Sequence, residues 1–306
     1  MKPYSPALQA PLPIKDGVGP SYLWLPDGQW PDMLSFLCAH FSHIDRATWL
    51  ARMAGSEVVF GDGERIAPGS PYRRGQQVFY YREIEAEPPI PFAEHILFQD
   101  EYLLVADKPH FLPVIPSGRF LQETLLVRLK RSTGLAHLTP IHRLDRETAG
   151  VIIFSHDLAT RGAYQSLFQQ RAMHKVYHAL APHSDALAWP HVRRSCIARG
   201  EPFFRMQEID APANSETSID VLERRGDLSR YELRPLTGRQ HQLRVHMAAL
   251  GMPILNDGFY PRVLQSEHDD WSRPLQLLAK EIAFDDPISG LRRAFSSRRN
   301  LNFSTE

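Results

Sequence analysis

Asp145 stands in the stretch Ile141-His142-Arg143-Leu144-Asp145-Arg146-Glu147-Thr148-Ala149-Gly150, after Pro140 and before the apolar run Val151-Ile152-Ile153-Phe154. Such a pattern reads as a loop feeding a buried strand, and a loop beside a rigid strand is a common seat for a reactive group. The neighbouring Arg143 and Arg146 favour the charged form of the carboxyl. An ionised, oriented carboxylate can act as a nucleophile. An aspartate between two arginines can equally be a structural ion pair, and these residues alone do not choose between the two.

Other chemistry-bearing residues are less telling. His241 and His246 are five apart, not the i, i+4 spacing that puts two imidazoles on one helix face for a metal, so no metal site is expected. His142 suits a structural hydrogen bond better than acid–base work. Arg239, beside Gly238, can bind phosphate or fix its loop. The terminal Arg292, Arg293, Arg298 and Arg299 fit phosphate contact or a solvated basic end equally well. A glycosidase needs a second carboxylate, and near Asp145 in sequence only Glu147 offers one.

The elements that must position these groups follow from periodicity. Pro3, Pro6, Pro11, Pro13 and Pro20 make residues 1–22 an extended arm. Met33, Phe36, Leu37 and Phe41 recur at helical spacing, and Ile44, Trp49, Leu50 and Met53 suggest a second short helix with Asp45 as its N-cap. Val58-Val59-Phe60 before Gly61-Asp62-Gly63, and Val78-Phe79-Tyr80-Tyr81-Arg82 after a turn at Tyr72–Gly75, read as strands. Glu85-Ala86-Glu87-Pro88-Pro89-Ile90-Pro91 is the linker expected to close a module spanning 23–87. Beyond it, Ile96-Leu97-Phe98 and Tyr102–Ala106 form a hairpin. Thr124–Lys130 and Thr160–Arg171 are helices, and Val151–Phe154 and Val176–Leu180 are strands. Strands recur without regular βαβ alternation, so residues 88–306 are expected to be an α+β domain on a mostly antiparallel or mixed sheet.

Bulk properties limit the function classes. At 306 residues and 43% hydrophobic, the chain can bury a real core. Two cysteines far apart, Cys38 and Cys196, make neither a disulfide framework nor a zinc spacing. The start lacks an apolar signal core and no run of 18 apolar residues occurs, so the expectation is a cytoplasmic protein with no membrane span. Formal net charge is zero. Residues 119–175, however, hold nine Lys/Arg against four Asp/Glu, a net of +5 around Asp145, as a phosphate-binding cleft requires.

Taken together, five segments resemble the RluA-type pseudouridine synthases. His142-Arg143-Leu144-Asp145 with Thr148 and Gly150 is similar to that family's catalytic motif. Lys108-Pro109 is similar to its opening segment, and Lys175-Val176-Tyr177-His178-Ala179 to its Tyr-containing motif. Thr237-Gly238-Arg239-Gln240-His241-Gln242-Leu243-Arg244-Val245-His246 matches a third motif. Gly251-Met252-Pro253-Ile254-Leu255-Asn256-Asp257 and Tyr260 follow. The resemblance runs in order across residues 96–290, and residues 31–84 resemble an S4-like RNA-binding module. Where the family has a His before Ala and a His-Pro pair, this chain reads Leu277-Leu278-Ala279 and Asp286-Pro287.

The resemblance implies an isomerase that converts uridine to pseudouridine in structured RNA, ribosomal or transfer, with no cofactor or metal. Such an enzyme would act as a monomer and bind no DNA. The target base must leave its stack to be reached. Asp145 would start cleavage of the glycosidic bond, whether by attacking the sugar, attacking the base or removing a ribose proton. Arg244 would pair with that carboxylate. Tyr177 would stack on uracil and help proton transfer through its hydroxyl. Arg143 would enter the space the base leaves, a role suited to a planar guanidinium. His142, Arg146, Arg239 and Leu243 complete the implied substrate-binding set. A non-catalytic RNA-binding protein of the same fold is the alternative, and the presence of Asp145, Tyr177 and Arg244 together speaks against it.

Overall fold

The computed structural model describes residues 10–15, 17–82, 87–264 and 269–303. The expectations placed on Pro3, Pro6, Glu83, Glu85, Ala86 and Glu267 fall outside these residues. The contacts divide the chain into two units, 1–87 with 116–122, and 88–115 with 123–306.

In the first unit, strand β1 (Ser21–Trp24), helices α1 (Met33–His40) and α2 (Arg46–Ala54), and strands β2 (Val58–Phe60) and β3 (Gln77–Tyr80) follow one another. The strands form an antiparallel sheet of order β1-β3-β2. Both helices start at an aspartate. Asp32 accepts from Ser35 N–H and Asp45 from Thr48 N–H, each at 2.7 Å, satisfying orphan donors of the first turn. Met33, Phe36, Leu37, Trp49 and Met53 pack with Val58, Phe60 and Val78 in one apolar cluster. The extended arm ends earlier than its prolines suggest. Ser21 and Tyr22 already pair with Tyr80 and Phe79, and Leu12 packs on Val59, Phe79 and Tyr81. Proline excludes a helix there, but it does not stop an extended segment from joining a sheet edge.

The second unit is α+β and mostly sheet. Its strands are β4 (His95–Gln99), β5 (Leu103–Lys108), β6 (Thr139–Pro140), β7 (Ala149–Ser155), β8 (His174–Pro182), β9 (His191–Arg199), β10 (Met206–Ile209), β11 (Ser215–Arg225), β12 (Leu228–Pro235), β13 (Leu277–Asp285) and β14 (Arg292–Ser296). Helices α3 (Leu125–Thr133), α4 (Arg161–Gln169) and α5 (Gln242–Ala249) are interspersed. The main path runs β10-β9-β11-β12-β8-β13-β7-β5-β4, with β14 on β13 and β6 on β7. Every pairing is antiparallel except β13 with β7.

Strand β7 is buried at all seven positions because it lies between β5 and β13 with α4 against one face. Tyr164 and Leu167 of α4 meet Leu103, Val105, Val151, Ile153 and Phe284. On the other part of the sheet, Leu243 and Met247 of α5 pack against Ala179, Ile219, Tyr231, Leu233 and Leu277. The parallel join of β7 to β13 rests on Gly150. Its φ is +114°, and a Cβ there would sit 2.2 Å from the Ala279 carbonyl oxygen. No other residue combines that conformation with that approach.

The two family departures both find places. Leu278 is buried with Ala149, Leu180 and Leu301. Asp286 is buried, accepts from Tyr164 Oη at 3.2 Å and pairs with Arg293. Of the terminal arginines, Arg293 and Arg299 are part-buried in ion pairs, while Arg292 and Arg298 are exposed. Arg293 also binds Asp100 at 2.6 Å, Arg292 pairs with Asp285 at 3.2 Å and Arg299 with Asp107 at 3.4 Å.

Candidate active site

Asp145 lies in the loop between β6 and β7, at the end of the sheet where β7 begins. Its side chain is about a quarter exposed, at 25%. Two groups from the N-terminal turn of α5 reach it. Arg244 Nη1 is 3.5 Å from Oδ2, and His241 Nε2 is 3.9 Å from Oδ1. Asp145 and Arg244 are 99 residues apart, so only the tertiary fold brings them together.

The flanking arginines do not serve Asp145 as the local sequence suggests. Arg146 sends its guanidinium fork to Asp269, with Nη1 donating to Oδ2 at 2.9 Å, and its Nε toward Glu147. Arg143 is exposed. The cation that faces Asp145 is Arg244, which is 1% exposed.

Arg244 is itself anchored elsewhere. Its Nε donates to Asp257 Oδ2 at 2.8 Å and Nη2 to Oδ1 at 2.7 Å, a bidentate buried pair. Nη1 is left between Asp145 Oδ2 and Glu147 Oε2, each at 3.5 Å. Burial acts to lower the Arg244 pKa, but Asp257, Asp145 and Glu147 outweigh it and hold the guanidinium firmly charged. Asp257 Oδ1 also accepts Phe259 N–H at 2.8 Å and Tyr260 N–H at 3.1 Å. These bonds set both rings against the guanidinium, Phe259 at 4.8 Å and Tyr260 at 5.5 Å from Cζ. Burial raises Glu147's carboxyl, yet Arg244 and Arg146 overcome it and the net shift is downward. Glu147 is thus a committed ion-pair partner, which removes the second carboxylate a glycosidase would need as a proton donor.

The loop is clamped from behind. Lys108, at the end of β5, is fully buried and donates to the carbonyls of Pro109 (3.0 Å), Leu112 (2.8 Å) and Arg146 (2.9 Å). Burial pushes its ammonium down to about 7, against the pull of Glu147 and Asp145. His110 Nδ1 lies 2.7 Å from the Glu147 carbonyl.

Tyr177 is on β8 between Leu233 of β12 and Ala279 of β13. Burial, then the Asp145 charge, push its phenol up, so the hydroxyl stays protonated at neutral pH. His142 turns away from Asp145. Its ring stacks on Phe168 at 4.7 Å and its Nε2 accepts Ile153 N–H at 3.1 Å. Leu243 is in the core under α5. Arg239 is exposed and donates from Nε to the Asn214 carbonyl at 3.1 Å. His246 points into the sheet, near Ser195, Ser215 and Thr217, and does not join His241.

The basic surplus counted between residues 119 and 175 is only partly available. Arg128 is paired with Glu123 and Glu94, Arg161 donates to the His137 carbonyl, and Lys175 Nζ donates to the Thr237 carbonyl at 3.2 Å. The sequence assigns no role to Asp257, Lys108 or His241, and offers Glu147 only as a glycosidase's second carboxylate. Asp257 and Lys108 stand inside quoted motifs, but their partners are set by tertiary geometry.

A mostly antiparallel sheet with this site is the pseudouridylate synthase fold. The solved human RNA pseudouridylate synthase domain containing 1 matches 72% of this chain and 94% of its own, with a TM-score of 0.56 and 25% identity. The RNA pseudouridylate synthase family model matches residues 102–249. The chain is 31% identical over 229 residues to the dual-specificity RNA pseudouridine synthase RluA of Haemophilus influenzae, covering 71% of this chain and 99% of that one. It is 30% identical over 233 residues to an uncharacterized RNA pseudouridine synthase of Synechocystis, covering 74% and 79%. The chain belongs to the RluA-type RNA pseudouridine synthase family. As such it is an isomerase with an RNA substrate. Among the described residues no helix is long and apolar enough to cross a membrane.

Proposed function

We propose that this protein converts uridine to pseudouridine in structured ribosomal or transfer RNA, with Asp145 starting cleavage of the bond between uracil N1 and the ribose. The observation that carries the reading is the convergence on one carboxylate. Asp145, presented on a loop clamped by Lys108, faces a guanidinium that Asp257 holds rigidly. A charge kept oriented in a water-poor site needs no rearrangement at the moment of reaction.

The target uridine flips out of its stack, and its uracil lies on the Tyr177 ring. Asp145 initiates cleavage, Arg244 holds its aim, and the freed uracil turns to present C5 to C1′. Arg143, exposed beside the site, fills the vacated stack. Exposed Arg239 contacts the RNA backbone, and Arg146, paired with Asp269 and Glu147, acts by holding the loop. His142 and Leu243 act from behind, by packing under the loop and under α5. We read the enzyme as a monomer. Both cysteines are free thiols, in keeping with a cytoplasmic setting. We read the N-terminal unit as an S4-like RNA contact; two capped helices on a three-stranded sheet support that shape.

The test is to incubate the wild-type protein with ribosomal and transfer RNA transcripts and map pseudouridine by chemical labelling. Formation at defined uridines is expected. No pseudouridine on any RNA would overturn the reading.

A further inference from the structure

Phe203 is the most exposed of the large apolar side chains among the described residues, at 75%. It stands at the tip of the hairpin joining β9 to β10, in Gly200-Glu201-Pro202-Phe203-Phe204-Arg205. Lone apolar side chains are common on protein surfaces, so exposure by itself points to nothing. Its setting is what distinguishes this one.

The tip is rigid. Gly200 N–H donates to the Arg205 carbonyl at 2.9 Å and Arg205 N–H to the Pro202 carbonyl at 2.8 Å, closing a tight turn with Phe203 inside it. The hairpin is tied in turn to the segment that follows Asp257. Arg205 Nη2 donates to the Pro261 carbonyl at 2.8 Å, and its guanidinium carbon lies 4.9 Å from the Tyr260 ring centre. The Tyr260 hydroxyl bonds both the N–H (2.8 Å) and the carbonyl (3.1 Å) of Met206. A group held in place before its ligand arrives loses little freedom on binding.

The ring also ends a line of rings that starts at the site. Phe259 lies 4.8 Å from the Arg244 guanidinium carbon, and Phe204 contacts Phe259 at 5.1 Å between ring centres. Phe203 meets Phe204 at 5.6 Å, nearly perpendicular at 81°. Phe259 and Phe204 are half-buried, so the line opens to solvent at Phe203. Arg199, at the base of the hairpin, and Arg262, beside Pro261, are exposed, against exposed Glu201.

A single RNA strand matches this arrangement, since it offers a π-face at every base and a phosphate at every step. Flipping the target uridine unstacks it from its neighbours, which then lack a partner on that side. We propose that Phe203 is the stacking platform for an unpaired base of the substrate RNA near the flipped uridine, with Arg199 and Arg262 on the flanking phosphates. This rests on the function proposed above and deepens it, by assigning a substrate-positioning residue outside the family motifs.

Phe203→Ala, Phe203→Leu and Phe203→Trp in the full chain separate stacking from other contacts. Leucine keeps apolar bulk without a π-face, and tryptophan enlarges the π-face. Equilibrium binding to ribosomal and transfer RNA transcripts is measured over a range of salt, with Tm as the check on folding; at so exposed a position Tm should not move. Expected is an affinity loss of about 10-fold in Phe203→Ala and in Phe203→Leu, with wild-type affinity or better in Phe203→Trp. The slope of log affinity against log salt should stay the same, because no phosphate contact is lost. Single abasic sites in the bound transcript then locate the base. At one position the wild type should fall to the affinity of Phe203→Ala, while Phe203→Ala loses nothing more. Wild-type affinity in Phe203→Ala or in Phe203→Leu, or the lack of such an abasic position, overturns the proposal. Binding is read without conversion, so the two claims fail separately. A wild type that forms pseudouridine beside an unaffected Phe203→Ala refutes Phe203 alone. A Phe203-dependent base contact on RNA that is never converted refutes the pseudouridine reading and leaves the platform standing.

Discussion

Replacing Asp257 by asparagine probes the anchor of the site without changing its shape. Asp257 accepts four donors: Nε and Nη2 of Arg244, and the N–H groups of Phe259 and Tyr260. In Asp257→Asn the oxygen Oδ1 keeps three of them. The new amide group, in the place of Oδ2, faces Arg244 Nε–H, donor against donor at what was 2.8 Å. Breaking a buried ion pair from one side costs about 3–5 kcal/mol. Asp145 and Glu147, each 3.5 Å from Nη1, still compensate part of the charge, so the lower end applies. A loss of about 3 kcal/mol should lower Tm by roughly 6–12 °C. The guanidinium should then swing toward Asp145 and Glu147, and a displacement of about 1 Å at a reacting group costs on the order of 100-fold in rate. The expected result by calorimetry and single-turnover kinetics is a lower Tm, a kcat down about 100-fold and a KM close to wild type. A variant with both Tm and kcat unchanged would refute the view that Asp257 sets the aim of Arg244.

Two further outcomes follow from the same geometry. Gly150→Ala places a methyl 2.2 Å from a backbone oxygen at a φ of +114°, where neither strand can yield; a destabilisation of about 3 kcal/mol or failure to fold is expected by denaturant titration. Burial holds His246 at about 4, and His142 at about 3 with help from Lys175. Because the unfolded rings titrate near 6.5, the unfolded chain binds more protons between these values. The stability these neutral rings contribute is complete above about pH 6.5 and is lost as pH falls through their folded values. Tm should drop between pH 7 and pH 5, and His246→Gln should flatten that slope; an equal slope in the variant would assign the acid sensitivity elsewhere.

Local signals made much of the fold legible. Asp45 before an apolar-periodic stretch marks α2, and the run Val151–Phe154 marks the buried strand β7. Strands β9, β10 and β11 were not legible, because several of their exposed positions are apolar, such as Val192, Ile209 and Leu222. The candidate site divides in the same way. Asp145, Tyr177 and Arg244 could be read from their motifs. Partner choice could not: Arg146 turns to Asp269, 123 residues on, and Arg244 takes Asp257 as its main partner. A guanidinium's partner depends on which strands and loops the sheet order brings together, and spacing along the chain does not encode that.

The most direct test of the central claim is single-turnover conversion of uridine in ribosomal and transfer RNA transcripts by wild type and Asp145→Ala, with RNA affinity measured in parallel. Pseudouridine from the wild type, none from Asp145→Ala, and equal RNA binding is the expected result. Wild-type conversion rates in Asp145→Ala would contradict the account.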